Sequence, residues 1–462
     1  MHASPFPSIA SVDAAAYGFA PEASGVVNRQ ALQRAVDQGG TVLVNRPGTY
    51  AMAGTVYLGS HTTLSFANGV RLQKVDEQGP FSHVLLNKGA LTKTWDSGIA
   101  VIGLTIIVNG MDHCTHEVFG LRGQLAFFYV HDLRIERFRC LDLGRQQYCI
   151  HVCTFTDLII DDVIIHGGKD GVHLGRGKRF RISNGVFNTL DDAIALNAHD
   201  YDTGNPELGW IEDGLVEKCH DLKPEVSLGF FARLLAGGWI DWQPGMMVQK
   251  SDSVVSQGRL YRVRAQPDGK LLRSLTQPQH SSGAQVLDGI TWVMVQAEAV
   301  YIAGVRRVTF RDIFLENPRI GFSIHCDNDW YSRSYYPGAV VPRQEQLIFE
   351  HIRVIHSQRQ PFLSIGTPVD SCAINDSTLR DTPICFVGNG AMPEYFPTRM
   401  TLSGCTFTTA GVQDLVLNEV AGKTISLRTA MSTTLADDFT ARVMAGPGQI
   451  TVVSDLPGLE PA

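Results

Sequence analysis

The sequence predicts an all-β fold: a right-handed parallel β-helix with an N-terminal capping helix and a small inserted β-rich segment. A short motif recurs along the chain, in which an apolar residue is followed by two polar or small residues and then by alternating apolar positions. Examples are IIDDVIIH from Ile159 and TFRDIFLE from Thr309. The 45 glycines fit a protein with many tight turns. Repeats of about twenty to thirty residues with two-residue alternation are typical of a solenoid of β coils.

The apolar anchor of this motif recurs at seven positions, with neighbouring anchors 22 and 29 residues apart at first and 39, 25 and 28 apart later. The anchors are Ile160, Ile182, Ile211, Phe310, Phe349, Ile374 and Leu402. Leucine-rich repeats have a similar period, but their Leu/Asn consensus is not found in this sequence. The period therefore favours a β-helix.

Three tetrapeptides predict how neighbouring coils stack. CIHV from Cys149, GVHL from Gly171 and AIAL from Ala193 follow one another at intervals of 22 residues. Because side chains alternate along a strand, the second and fourth residues of each should form aliphatic ladders inside the coil. The third residues, His151, His173 and Ala195, should then share an outward face.

The solenoid rhythm is absent at the start of the chain and again in its middle. Asn28–Gln38 has the periodicity of an amphipathic helix, which would cover the open end of the first coil. We expect a cap and first coil in residues 1–55 and coils in 56–220. An inserted β-rich module or lid should occupy 221–296, followed by coils in 297–410 and a C-terminal part in 411–462.

Composition limits the partners and the compartment. The net charge of −7 argues against nucleic acid and against an anionic membrane surface, and no apolar window is long enough to span a bilayer. Nine cysteines without paired spacing indicate reduced thiols. We expect a cytoplasmic protein, or a secreted one if a leader precedes this sequence. The oligomeric state is left open.

Asp170, Asp191 and Asp192 are the candidate catalytic residues. Asp170 precedes a glycine and Asp191 follows it by 21 residues, close to one coil. A single Asp beside Gly is more often a turn residue than a catalyst. One coil apart, however, these acids should lie at matching corners. Repulsion between their charges should then raise the pKa of at least one of them.

The segment from Asp170 to Asp192 resembles the core motif of the polygalacturonases, glycoside hydrolase family 28. The head ALQRAVDQGGTVLVNRPGTY resembles the N-terminal cap of the wider pectate-lyase-like β-helix superfamily. The resemblance implies an inverting glycosidase that acts on a pectin-derived or other glycan. It implies that Asp191 is the general acid and that Asp170 and Asp192 position and deprotonate water.

The chain departs from the family pattern at three places. Gly168 and Lys169 stand where the family has Asn-Thr, and no Gly-His-Gly follows the Asp pair. Ser323 and His325 stand where the family's Arg-Ile-Lys motif would grip a galacturonate carboxylate. These departures weaken the case for polygalacturonate as the substrate.

Several other residues are candidates for contacting a carbohydrate substrate. Histidines near the acids could bind sugar hydroxyls or tune the acid, and the loop from His325 to Gly338 offers aromatic rings for stacking and a guanidinium for a uronate. The candidates are His151, His173, His199, His325, Trp330 and Arg333.

No metal or other cofactor is expected. Cys149, His151 and Cys153 would spread over about 13 Å of strand, too far to share one ion. Two alternatives stay open: a β-helix polysaccharide lyase or epimerase, in which the same acids could hold calcium and histidines act as bases, and a non-catalytic sugar-binding or tailspike-like β-helix.

Overall fold

The chain winds into a right-handed parallel β-helix, as the sequence predicts, in the computed structural model of the protein. The structure describes residues 11–454 apart from 225–226, 265–269, 328–331, 357–359, 389–398, 409–411, 432, 435–439 and 445–446. Each full coil passes through three parallel sheets in turn, which we name the site sheet, the second sheet and the third sheet.

The site sheet begins each coil and carries the candidate catalytic residues. Its strands are Val56–Leu58, Leu85–Asn87, the first parts of Gly123–Leu143 and Tyr148–Gly167, Val172–Leu174, Ile194–Asn197, Ala232–Leu235, Phe322–His325, Leu363–Ile365, Ile384–Phe386, Val412–Asn418 and Thr440–Met444.

The second sheet follows, and it contains most of the repeated motifs. Its strands are Val12–Asp13, Gly40–Val44, Thr62–Phe66, Asp96–Ile102, the middle parts of Gly123–Leu143 and Tyr148–Gly167, Gly177–Ser183, Ile211–Glu217, Val305–Arg311, Glu345–Glu350, Cys372–Asn375, Arg399–Ser403, Thr424–Ala430 and Gln449–Ser454.

The third sheet closes each coil. Its strands are Gly48–Met52, Val70–Lys74, Thr105–Ile107, the last parts of Gly123–Leu143 and Tyr148–Gly167, Val186–Thr189, His220–Asp221, Phe314–Leu315, Arg353–Val354, Thr378–Arg380, Thr406–Thr408 and Thr433–Thr434.

The predicted stacking of neighbouring coils is confirmed. Ile150, Val172 and Ile194 lie in register and are fully buried, as are their counterparts two residues further along each strand. The outward positions pair in the same way, with His151 next to His173 and His173 next to Ala195. Burial of these apolar columns drives the coils together.

One anchor of the repeat was assigned to the wrong residue. Ile182 pairs with Val216, and Val216 pairs with Phe310, so Val216 holds the place predicted for Ile211. The motif from Trp210 has an apolar residue at both positions, five residues apart. The sequence alone could not decide between them.

The capping helix spans Gly25–Val36 and so begins three residues before the predicted start. Ser24 caps it by accepting a hydrogen bond from the Val27 N–H, which satisfies one of the free donors of the first turn. Its buried face, which includes Leu32 and Val36, covers the end of the core. The other helices are the short 3-10 turns Ala14–Tyr17 and Lys88–Leu91.

The inserted β-rich segment begins later than expected. Ala232–Leu235 lies within the range 221–296 but is a strand of the site sheet, paired with Ile194–Asn197 and Phe322–His325. The strands outside the coils are Gly237–Gly238, Ile240–Asp241, Met246–Val248, Ser253–Ser256, Arg259–Val263, Leu272–Ser274, Ala284–Leu287, Ile290–Gln296 and Ile302–Ala303. They enclose a small core of their own around Tyr261 and Trp292.

Among the described residues, no helix is long and apolar enough to cross a membrane.

Candidate active site

A cleft of about 960 Å³ opens over the outward face of the site sheet. Its walls combine acids, cations and aromatic rings, contributed by coils on both sides of the acid cluster and by the loops between them. The charged and aromatic lining residues are Arg145, Tyr148, Lys169, Asp170, Asp191, Tyr201, Phe230, Arg233, Lys250, His325 and Asp327.

The three predicted acids lie together at the base of this cleft. Asp170 lies two residues before the site-sheet strand of one coil, and Asp191 and Asp192 lie three and two residues before that of the next. The Gly171 N–H donates to the Asp192 carbonyl at 2.9 Å, which fixes the two corners side by side. One carboxylate oxygen from each acid lies within 4.8 Å of the others.

The three carboxyl groups differ in their exposure and partners. The residues Asp170 and Asp192 are 2% and 1% exposed, whereas Asp191 is partly exposed and faces the cleft. Asp192 accepts a hydrogen bond from the Phe230 N–H at 3.0 Å, and its other oxygen lies 3.3 Å from Arg233 Nε. Asp192 therefore lies behind the other two acids.

The environment separates their protonation states. Burial, together with the charge of Asp191, raises the pKa of Asp170 to about 7. Burial raises the pKa of Asp192 to about 8, although Arg233 opposes the shift. Burial also acts on Asp191, but Lys169 outweighs it and holds the pKa of this carboxyl below its ordinary value. At neutral pH the cluster therefore holds an ionised Asp191 beside groups that retain protons.

Lys169 is a candidate site residue that the sequence marked only as a departure from a family pattern. Its ammonium donates a hydrogen bond to Asp191 Oδ2 and lies 3.7 Å from Asp170 Oδ1. Burial would lower the pKa of Lys169, but the charges of Asp170 and Asp191 raise it. Lys169 therefore supplies a permanent positive charge between the two acids.

Arg233 is a second candidate site residue, and it was not predicted from the sequence. It follows Ala195 in the outward ladder and precedes Ser323, so it lies one coil beyond the acids. Its guanidinium lies near Asp192 and, at 3.8 Å, near Asp200. The outward ladder that predicted His151 and His173 would have found Arg233, had Ala232–Leu235 been recognised as the next site-sheet strand.

His173 contacts Asp170 of the acid cluster, and it lies on the outward face that the ladder predicted. Its Nδ1 lies 2.8 Å from Asp170 Oδ2, and its ring is stacked on Tyr148 with centroids 3.9 Å apart. His151 lies in the preceding coil, with its ring centroid 4.7 Å from that of His173. His151 Nε2 lies 2.9 Å from the Asn205 side chain oxygen. Both histidines are fully buried and neither lines the cleft, so the predicted direct contact of these two residues with a substrate does not fit the structure.

The remaining predicted binding residues divide between the cleft and the interior. His325 lines the cleft, and its Nδ1 lies 2.9 Å from Ser323 Oγ. His199 is buried and its Nδ1 lies 3.0 Å from Ser334 Oγ, away from the cleft lining. Arg333 forms a bidentate ion pair with Asp252 of the inserted segment and is not among the described lining residues. Trp330 falls outside the residues that the structure describes.

The acid cluster is also the only group of metal-ligating side chains found among the described residues. Lys169 and Arg233 already bring two positive charges to it. A divalent cation there would be repelled by both, so the donor set fits a metal poorly.

Comparison with known proteins gives the fold. No protein-family model and no curated protein sequence matches the chain significantly. Among solved structures, the A-module of the mannuronan C-5 epimerase AlgE6 from Azotobacter vinelandii aligns with a TM-score of 0.55 and 12% identity, over 97% of this chain and 99% of that one. The catalytic unit of an α-1,3-glucanase of family GH87 from Streptomyces thermodiastaticus aligns at 0.50 and 13% identity, over 99% and 70%.

A family 28 exopolygalacturonase from Yersinia enterocolitica aligns with a TM-score of 0.48 and 12% identity, over 96% of this chain and 78% of that one. At these identities the likenesses to the epimerase module and to the α-1,3-glucanase, with TM-scores of 0.55 and 0.50, show the fold alone. They do not show membership of family 28.

Proposed function

We propose that this protein is a glycoside hydrolase that cleaves an oligo- or polysaccharide with Asp170, Asp191 and Asp192. The observation that carries the proposal is a group of three carboxyl groups at a cleft, of which Asp191 is paired with Lys169 while Asp170 and Asp192 are buried. Glycosidases need one carboxylic acid to protonate the leaving oxygen and one carboxylate to activate the attacking group.

The roles that fit the charges differ from those implied by the family resemblance. Asp170 lines the cleft and retains its proton near neutral pH, so it is our candidate for the general acid. Asp191 is ionised beside Lys169, so it is our candidate for the general base. Asp170 would give its proton to the glycosidic oxygen as the bond to the sugar carbon breaks. Asp191 would take a proton from the water that attacks that carbon.

The stereochemical course is a separate part of the proposal. Inverting enzymes typically hold acid and base about 6.5–9.5 Å apart, and retaining enzymes about 5–5.5 Å apart. One oxygen of each acid lies within 4.8 Å of the others. These ranges refer to whole carboxyl groups, so this contact selects neither course. The expected inversion is tested by following the anomeric configuration of the first product by proton NMR.

The primary experiment is a screen of neutral and acidic oligosaccharides for release of reducing ends, with Asp191→Asn as the matched variant. Hydrolysis by the wild-type protein, lost in the folded variant, supports the proposal. Equal rates in the two proteins, or no cleavage across pectic and neutral glycans, contradict it.

A polysaccharide lyase or epimerase is the second candidate, and His325 is the observation that favours it. His325 lines the cleft with its Nδ1 2.9 Å from Ser323 Oγ, so its imidazole is placed where it could accept a proton from a uronate C5. A lyase would release an unsaturated product that absorbs ultraviolet light, whereas a hydrolase would not.

A further inference from the structure

His173 lies between two buried acids, only one of which belongs to the predicted cluster. Its Nδ1 is 2.8 Å from Asp170 Oδ2, and its Nε2 is 3.4 Å from Asp200 Oδ2. His173 and Asp200 have no exposed surface, and Asp170 is 2% exposed. Because water does not reach the ring, its two nitrogens can pair only with groups of the protein. Nδ1 pairs with Asp170, whereas Nε2 faces Asp200 without a hydrogen bond of good geometry.

Asp200 acts as an acceptor in this arrangement. It accepts hydrogen bonds from the Asn197 side chain and from the Tyr201 N–H, both at 2.8 Å. The Arg233 guanidinium lies 3.8 Å away. All three neighbours are donors, so the oxygen that faces His173 presents lone pairs to the ring.

The imidazole of His173 is neutral at ordinary pH, so only one of its two ring nitrogens carries a proton. Burial lowers the pKa of His173 to about 3, despite the opposing charge of Asp200. The other charged or titratable groups around the ring are Asp170, Tyr148, His151, Lys169, Arg122 and Arg233. A proton on Nδ1 would leave the Nε2 lone pair facing an Asp200 oxygen in a dry interior, where such repulsion is costly.

We propose that Asp200 fixes His173 as the Nε2–H tautomer, so that Nδ1 accepts a hydrogen bond from a protonated Asp170. Asp200 and His173 are then positioning residues, which keep one acid of the cluster in its protonated form. The raised pKa of Asp170 agrees with this arrangement. The catalytic consequence rests on the proposed function, but the tautomer does not.

The consequence for hydrolysis is a division of labour within the cluster. Lys169 stabilises negative charge on Asp191, while His173 and Asp200 hold the proton of Asp170 in the resting enzyme. For catalysis this proton leaves His173 and is transferred to the glycosidic oxygen in the cleft. Two neighbouring carboxyl groups thus keep opposite protonation states, as acid and base catalysis requires.

The test is nitrogen NMR of the protein labelled with ¹⁵N-histidine, which distinguishes a protonated from a bare ring nitrogen without any substrate. His173→Gln identifies the signals of His173. At about pH 6, below the pKa of Asp170, we expect a protonated Nε2 and a bare Nδ1. A protonated Nδ1 in the wild-type protein, alone or with Nε2, overturns the proposal.

Asp200→Asn provides the second measurement, because its amide can present an N–H to Nε2. We expect the His173 proton to move to Nδ1 and the pKa of Asp170, followed by its ¹³C carboxyl shift, to fall. Asp202→Asn, which changes another buried acid two residues away, should alter neither. An unchanged tautomer in folded Asp200→Asn overturns the assigned role of Asp200. Loss of hydrolysis in the wild-type protein would reject only the proposed function.

Discussion

The Lys169 ammonium is hydrogen-bonded to the Asp191 carboxylate, and this contact sets the charge pattern of the candidate site. Both side chains are largely shielded, with 20% and 29% of their surfaces exposed. An ion pair so placed is screened less by solvent than a surface pair. Lys169 stands where the resemblance to family 28 would place a threonine.

Lys169→Met should shift the pH dependence of turnover. Without the cation, burial and the neighbouring acids raise the pKa of Asp191, so the acidic limb of the kcat/KM profile should move to higher pH. Each unit of that shift lowers the rate on the acidic limb about tenfold. The profile is measured by release of reducing ends between about pH 4 and 9.

Lys169→Arg is the matched control, because it keeps the charge and should keep the limb near its wild-type position. If Lys169→Met leaves the acidic limb in place and the thermal melt of the variant is unchanged, then Lys169 does not lower the pKa of Asp191.

Replacing any one of the three acids with asparagine should abolish most of the turnover without unfolding the protein. Acid or base catalysis typically contributes about 10²–10⁴-fold, so losses of that order are expected for Asp170 and Asp191. Asp192 lies behind them, and its replacement should lower turnover by disturbing their positions and charges. The losses should not add in double variants, because the residues act as a unit. Turnover and thermal melts are measured in parallel.

Asp213→Asn, an exposed acid paired with Arg307 on the second sheet, is the control for removal of a charge. Near-wild-type turnover in folded Asp191→Asn would make the acids turn residues only.

Unsubstituted polygalacturonate should be a poor substrate. A bound carboxylate needs a charge-assisted partner, which typically contributes about 1.5–3 kcal/mol, or about 10–100-fold. Ser323 is uncharged, and burial keeps His325 neutral by lowering its pKa to about 3. We therefore expect kcat/KM on this polymer to be lower by that factor than on a neutral glycan that the protein cleaves.

Efficient, saturable cleavage of polygalacturonate would contradict this expectation. Arg145 and Lys250 line the cleft and would then be the residues to replace with glutamine. Arg333, suggested from the sequence for this role, is engaged by Asp252.

The part of the fold that the sequence predicted is the part with uninterrupted spacing. Three tetrapeptides at intervals of 22 residues predicted the register of the site sheet, because a slip of one residue would turn His151 into the core of the coil and Ile150 to its outward face. The acids followed from the same register. The proximity of Asp170 to the Asp191–Asp192 pair was therefore predictable.

The charge pattern was not predictable, because it depends on residues without a fixed period. Arg233 lies 38 positions after its ladder partner Ala195, across a long turn that hid the strand. Asp200 approaches His173 from a loop after the next strand. Lys169 was visible, but nothing in the sequence shows that its ammonium turns toward Asp191.

The last prediction concerns stability, since Asp192 is buried with a pKa of about 8 against an ordinary value of 3.8. The folded protein binds this proton more tightly than the unfolded chain does. The contribution of Asp192 to the free energy of unfolding is therefore fully present below about pH 4 and is lost as the pH rises through about 8. Asn cannot ionise, yet its side chain oxygen can still accept from the Phe230 N–H. Asp192→Asn should thus gain stability relative to wild type as the pH rises from 5 to about 9. Urea unfolding at several pH values measures the difference.

Asp213→Asn is the control. Arg307 lowers the pKa of Asp213, so this carboxyl is ionised throughout the range, and the stability difference between this variant and wild type should stay constant. A constant difference for Asp192→Asn as well would show that Asp192 is ionised in the folded protein, and the proposed charge pattern of the cluster would then be wrong.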